Sequence, residues 1–209
     1  MTKKIITLLL VVSLLIANVF AGGFAGINAG PSFDIYTLKP EGTSERSDTY
    51  VDNGVAIDLY GAFFFGEKEN MGLGIKLGTD ANISTRYDGH DVSNDLAETD
   101  FTPAVTFLYR IGLTDSIDLL LGAGLEYAYH GSSSSGDGYS VSSSYHSFGV
   151  SANTDFAFRF GHFGILAGVN LGVPFVTIVN SSYGDYSDSM NIGKLGVQVT
   201  PHAGVFYCW

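Results

Sequence analysis

From residue 24 to residue 209 the chain alternates apolar with small or polar residues in eight separate runs, and no helical period competes with that alternation. The runs cover 24–38, 54–65, 71–83, 101–111, 117–129, 145–160, 163–180 and 192–209. The fifth is the plainest. Ile117, Leu119, Leu121, Ala123, Leu125, Tyr127 and Tyr129 share one parity, and Asp118, Leu120, Gly122, Gly124, Glu126 and Ala128 the other. The third repeats the pattern, with Met71, Leu73, Ile75 and Leu77 against Gly72, Gly74, Lys76 and Gly78. Period two sends successive side chains to opposite faces of a strand. The pattern therefore predicts an all-β, antiparallel fold.

The connections constrain how the strands are arranged. After the second, fourth and sixth runs they are short: "GEKEN", "GLTDS" and "GH". After the first, third, fifth and seventh they are long and polar: "KPEGTSERSDTYVDN", "STRYDGHDVSNDLAETD", "HGSSSSGDGYSVSSS" and "SSYGDYSDSMN". Short links at one end and long ones at the other mark a transmembrane up-and-down β-barrel, and each run reaches the ~9–11 residues a crossing needs. Eight strands return both termini to the short-turn end.

Parity alone does not say which face is outside, since a soluble barrel or a sandwich alternates too. The less apolar face decides. It reads Gly26, Asn28, Gly30, Ser32, Asp34 and later Gly149, Ser151, Asn153, Asp155, Ala157, Arg159. Small residues with scattered charges suit a cramped barrel interior better than a water-facing surface. The opposite face carries Phe63, Phe65, Phe107, Tyr109, Phe156, Phe158, Phe160 and Phe163, an apolar area too large for a soluble monomer. The fold expected is an eight-stranded antiparallel transmembrane β-barrel over 22–209, with an exported soluble barrel or sandwich as its rival.

Composition agrees. Charged residues are 15% of the chain, against roughly 25% in soluble domains. "MTKK", an apolar run and the small or aliphatic residues of Val19-Phe20-Ala21 match the pattern of a secretory signal peptide over 1–21, with cleavage expected after Ala21 and an uncleaved membrane anchor as the rival. Loss of Lys3 and Lys4 takes the net charge from −11 to −13, which excludes nucleic acid as a partner. The lone Cys208 cannot form an internal disulfide.

The terminal "AGVFYCW" resembles the C-terminal assembly signal of bacterial outer-membrane proteins, with Gly204, Tyr207 and Trp209 at its positions. Ala203 and Trp209 depart from the commoner polar residue and Phe. The whole layout is similar to small eight-stranded barrels of the outer-membrane protein A/X type and the opacity-protein type. That resemblance implies a bacterial outer-membrane location, extracellular loops, periplasmic termini, a monomer in membrane lipid and dependence on the barrel assembly machinery. It implies fold far better than function.

Ten charges lie on the small-residue face: Asp34, Asp58, Lys76, Asp80, Arg110, Asp118, Glu126, Asp155, Arg159 and Lys194. Enclosed charges must be paired, so a lumen ion-pair network is expected. Position about the turns suggests Asp58 with Lys76, Arg110 with Asp118 and Arg159, and Lys194 with Asp34. The network either plugs the lumen or rearranges as a gate. Leu166, Pro174, Val176, Ile178 and Phe206 break the small or polar inward pattern. They suggest either a strand projecting past the bilayer or an apolar lumen mouth for a hydrophobic solute, as in the outer-membrane protein W family.

Catalysis finds little support in the spacing. His130 shares its loop with "GSSSSGDG" and Asp137, but such a loop does not hold a base rigidly against a nucleophile. His146 and Ser147 fall on opposite faces, and inward His202 has no serine near it. No enzyme, cofactor or metal is expected. Asp88, His90, Asp91, Asp95, Glu98 and Asp100 crowd the second long connection, too irregularly for a calcium loop but enough for weak divalent-cation binding. The four connections carry twelve carboxylates against Lys39, Arg46 and Arg86, a net −9. With Tyr50, Tyr87, Tyr139, Tyr183 and Tyr186 they are the candidate contact surface for an extracellular ligand.

Overall fold

The computed structural model describes residues 22–40, 48–66, 68–87, 89–92, 97–136, 139–183 and 186–209, with side chains left out at 38–40, 48, 91–92, 97–99, 134–136, 139–141, 183 and 186–195. Eight long strands form the molecule: β1 (Gly22–Pro40), β2 (Asp48–Phe65), β3 (Met71–Tyr87), β5 (Ala97–Thr114), β6 (Ile117–Gly136), β7 (Tyr139–Phe160), β8 (Phe163–Tyr183) and β9 (Tyr186–Cys208). A three-residue β4 (His90–Val92) folds back on β3 alone. Each long strand pairs antiparallel with its chain neighbours, and β1 pairs with β9, so the sheet closes on itself. The ring closes the edges of the sheet, as backbone groups facing lipid require, except where the β3–β5 ladder ends at Gly78–Thr102.

The inward face accommodates bulk by placing glycine beside it. Phe206 has Gly26 and Gly164 as its cross-strand partners, Phe64 has Gly22 and Gly72, and Leu108 has Gly72 and Gly122. A Cβ at Gly164 would run into the Phe206 ring. Alternation of large and small residues across strands lets a narrow barrel fill its own lumen. Outside, Ile27, Leu59, Val105, Leu125, Phe148, Ile165, Leu171 and Val205 are all exposed. On β1 the outward residues from Ala25 to Ile35 span ten steps. At about 3.3 Å per residue and a tilt of about 40°, that is an apolar band on the order of 25 Å tall.

Two expectations are corrected. The strands run further than the alternation predicts. The serines of the third long connection belong to a paired hairpin, with Ser132 opposite Ser143 and Ser135 opposite Ser140. Beyond the apolar band both faces are polar, so the period-two contrast disappears while the hydrogen-bond ladder continues. The second correction concerns β8. Gly149 pairs with Pro174 but Phe148 pairs with Val176, so Phe175 is an extra residue. Pro174 has no N–H to keep the ladder regular, and a bulge there reverses the parity. Val176 turns outward at 44% exposure, taking Ile178 with it, and Thr177 turns inward at 1%. The expected apolar lumen mouth loses both residues.

The short turns have simple causes. Phe160 and Phe163 are joined by Gly161-His162, with Gly161 at φ +67°, as the first position of a II′ hairpin turn demands. Asp115-Ser116 has no positive φ and is accompanied by a bulge at Leu113.

Candidate functional site: the lumen

Inward side chains stack in three levels. At the short-turn end Phe24, Tyr60, Ala62, Phe64, Leu108, Leu120, Ala157, Leu166 and Phe206 make one buried apolar layer. Phe24 is its hub, with ring centroids 4.7 Å from Phe206, 5.6 Å from Tyr60 and 6.1 Å from Phe64. Of these residues the sequence pattern singles out only Leu166 and Phe206 as apolar exceptions. The other large ones are legible as well: each sits on the inward parity at the short-turn end of its strand.

Below this layer lies a cavity of about 470 Å³ at the short-turn mouth, walled by Glu69, Arg110, Asp118, Arg159, Cys208 and Trp209 among others. Arg159 Nε is 3.1 Å from Asp118, and its Nη2 donates to the Asp115 carbonyl at 3.2 Å. Arg110 does not join them. It lies over the Phe64 ring at 4.5 Å and reaches the turn residue Glu69 at 3.5 Å. The register sets Arg110 opposite Leu120 and Gly112 opposite Asp118, so the expected Arg110–Asp118 pair is out of step.

Above the layer the lumen becomes polar. Lys76 pairs with Glu126 at 2.9 Å, reaching past Ala104 of the intervening strand. It does not pair with Asp58, because Asp58 sits opposite Gly78 and Lys76 opposite Tyr60. His202 Nε2 and Asp155 Oδ1 are 2.9 Å apart, both side chains 2% exposed, at ion-pair distance though not aligned as a hydrogen bond. The Nδ1 of His202 donates to the Thr200 carbonyl at 3.3 Å. Asp155 also accepts from Asn153, and its carboxylate fills the space a Cβ at Gly168 would take. A cavity of about 20 Å³ lies between Asn28, Tyr60, Lys76, Asn153, Asp155 and His202.

Towards the long-hairpin end, Asp80 accepts from Ser32 at 2.6 Å and Gln198 at 3.2 Å. Asp100 lies 2.8 Å from His130, so that imidazole faces a carboxylate. Asp34, Glu126, His130 and Gln198 line a cavity of about 30 Å³. The side chain of Lys194 lies outside the described residues, as do those of Asp88, Asp91, Asp95, Glu98, Asp137, Tyr139, Tyr183 and Tyr186, and all of residues 1–21. Tyr36, Tyr50 and Tyr87 stack in a row across β1, β2 and β3, at 5.2 and 5.1 Å.

At the C-terminus, Gly204 faces inward and Tyr207 outward. Trp209 leaves the strand and folds across Gly23 onto Phe63, with ring centroids 6.0 Å apart. Its indole N–H is enclosed without a partner, not wet as its terminal position suggests.

No family model matches the chain, and no curated protein sequence does. Solved structures do match. A major outer membrane protein from Thermus thermophilus superposes with a TM-score of 0.58 at 11% identity, covering 90% of this chain and 100% of that one. Outer membrane protein OprG of Pseudomonas aeruginosa gives 0.57 at 19% identity, covering 91% and 97%. Neisserial surface protein A gives 0.55 at 10% identity, covering 88% and 96%. The chain therefore has the fold of small eight-stranded outer-membrane β-barrels.

Proposed function

We propose that this protein is a monomeric bacterial outer-membrane barrel with a lumen closed to solutes, serving a structural or surface-interaction role through its long acidic hairpins. The hairpins face the exterior and both termini the periplasm. Residues 1–21 are removed on export, and Gly204, Tyr207 and Trp209 present the strand end to the barrel assembly machinery. One observation carries the closed lumen. The Phe24–Tyr60–Phe64–Phe206 layer is buried, and two cavities above it among the described residues, at about 20 and 30 Å³, hold roughly one water each.

Planar-bilayer recording on the folded protein tests it. Wild type gives no steps above background, and discrete steps from wild type would sink the reading. A second reading, a narrow route for small or hydrophobic solutes, draws on the wall. Pairing between β3 and β5 stops at Gly78–Thr102, although both strands continue. Above that level a Thr79 hydroxyl donating to the Asp100 carbonyl at 2.9 Å bridges them. Steps that vanish when β3 and β5 are cross-linked above Gly78 would favour this second reading. Deleting Trp209 lowers the heat-modifiable, folded fraction in the membrane; undiminished insertion without it would remove its assembly role.

A further inference from the structure

Three side chains on the outer face of β6 and β7 make a connected set that the lumen does not involve. Tyr127 Oη lies 2.7 Å from His146 Nδ1, and Ser144 Oγ lies 3.4 Å from His146 Nε2. Ser144 and His146 are two residues apart on one strand, hence on the same face. The Tyr129 ring packs against the imidazole with centroids 5.2 Å apart, holding it from the side. On β8, Asn180 pairs with Ser144 in register and shares its face. Across from Ser144 on β6 stands Gly131, and the Tyr129 phenol fills the space a side chain there would take, so its hydroxyl lies beside the set.

Their height on the barrel matters as much as their geometry. Directly below them on the same face are Leu125, Phe148, Val150 and Val176, all exposed members of the apolar band. Above them come Ser142 and Ser182, which hydrogen-bond to each other. The set therefore sits where the apolar band ends, the level at which a bilayer carries the ester groups of its lipids.

We propose that Ser144, His146 and Tyr127 form an acyl-ester hydrolase site for the ester-linked chains of membrane lipids, at the outer rim of the barrel. This goes beyond the structural role and rests on the membrane reading. With its proton on Nδ1 and donated to Tyr127 Oη, the imidazole presents the Nε2 lone pair to the Ser144 hydroxyl. Ser144 Oγ attacks the ester carbonyl carbon as its proton passes to Nε2. The Asn180 amide and the Tyr129 hydroxyl are side-chain donors on this face for the oxyanion, since the ladder N–H groups are already used. Collapse breaks the ester C–O bond, and the Nε2 proton leaves with the alcohol. Water then enters along the same path, gives its proton to Nε2, and releases a free fatty acid and the Ser144 hydroxyl. No co-reactant beyond water is needed. At 3.4 Å the Ser144–His146 contact is long, and contacts of this kind tighten as substrate is bound. Tyr127 acts through His146 and is a positioning residue.

The test uses the folded full chain in detergent micelles and in phospholipid vesicles, with heat-modifiable mobility as the folding control. An alkyl fluorophosphonate is expected to add one adduct, mapped to Ser144 by peptide mass spectrometry and absent in Ser144→Ala. Hydrolysis of a medium-chain p-nitrophenyl ester falls to background in Ser144→Ala and by about 100-fold or more in His146→Ala. In Tyr127→Phe, kcat falls about tenfold with KM unchanged, which a purely structural loss would not produce. A folded barrel that gains no adduct, gains one elsewhere, or hydrolyses no faster than Ser144→Ala overturns the proposal. A chain that never enters vesicles overturns the membrane reading instead, which separates the two failures.

Discussion

The two halves of the lumen are built from the same eight strands on the same parity, yet their contents are opposite in chemistry. At the short-turn end eight apolar residues close around Phe24. Two to six residues further along β2, β6, β7 and β9, Asp58, Glu126, Asp155 and His202 share the interior with Lys76 of β3. Both halves rely on small neighbours: Gly26 and Gly164 beside Phe206, Gly168 beside Asp155. The difference lies in what failure costs. The apolar layer loses contacts when a ring is removed, whereas the polar level is left with an unpaired charge.

The largest effect is expected where that asymmetry is sharpest. Asp155→Ala strands His202 in a pocket 2% exposed, and the unfolding free energy in urea should fall by about 3–5 kcal/mol. Adding His202→Leu should recover most of it, since no charge is then left alone. If the double variant is as unstable as the single one, the loss lies in packing and not in charge. Phe24→Ala should cost about 3 kcal/mol, the low end for a buried ring, because the mouth cavity lies next to it and neighbours can relax. It should also be the variant that first admits ions in bilayer recordings, whereas Asp155→Ala should not. Arg110→Ala should cost less than about 1 kcal/mol, for its pair with Glu69 is partly exposed and long at 3.5 Å. Raising the salt concentration should erase much of that difference but leave the Asp155 effect nearly unchanged.

How much of this is legible in the chain varies from residue to residue. The inward placement of Asp58, Lys76, Asp118, Glu126 and Asp155 follows from parity, because alternation is a property of one strand. Their partners do not. Lys76 meets Glu126 across an intervening strand, and Arg110 leaves Asp118 for Glu69 and Phe64. Those choices depend on register, which shifts from strand to strand around the barrel and is moved further by bulges. His202 looks isolated in the sequence because the residue it needs, Asp155, belongs to another strand 47 positions earlier. The Ser144–His146–Tyr127 set escapes notice for a related reason. The near neighbour Ser147 lies on the wrong face, while Ser144, two residues the other way, lies on the right one.

By itself, the sequence determined the class of fold, the number of barrel strands, which connections are short and which side of nearly every strand faces in. These are local matters, written in a two-residue period and in turn chemistry such as Gly161-His162. Only the tertiary structure decided where the apolar layer closes, which charges meet, how far the hairpins stay paired beyond the band, and that Val176 faces out. Each of these depends on register between strands, and a single bulge at Phe175 is enough to reverse a parity that had been regular for a dozen residues. Pairing is a property of the closed ring, and no one strand carries it.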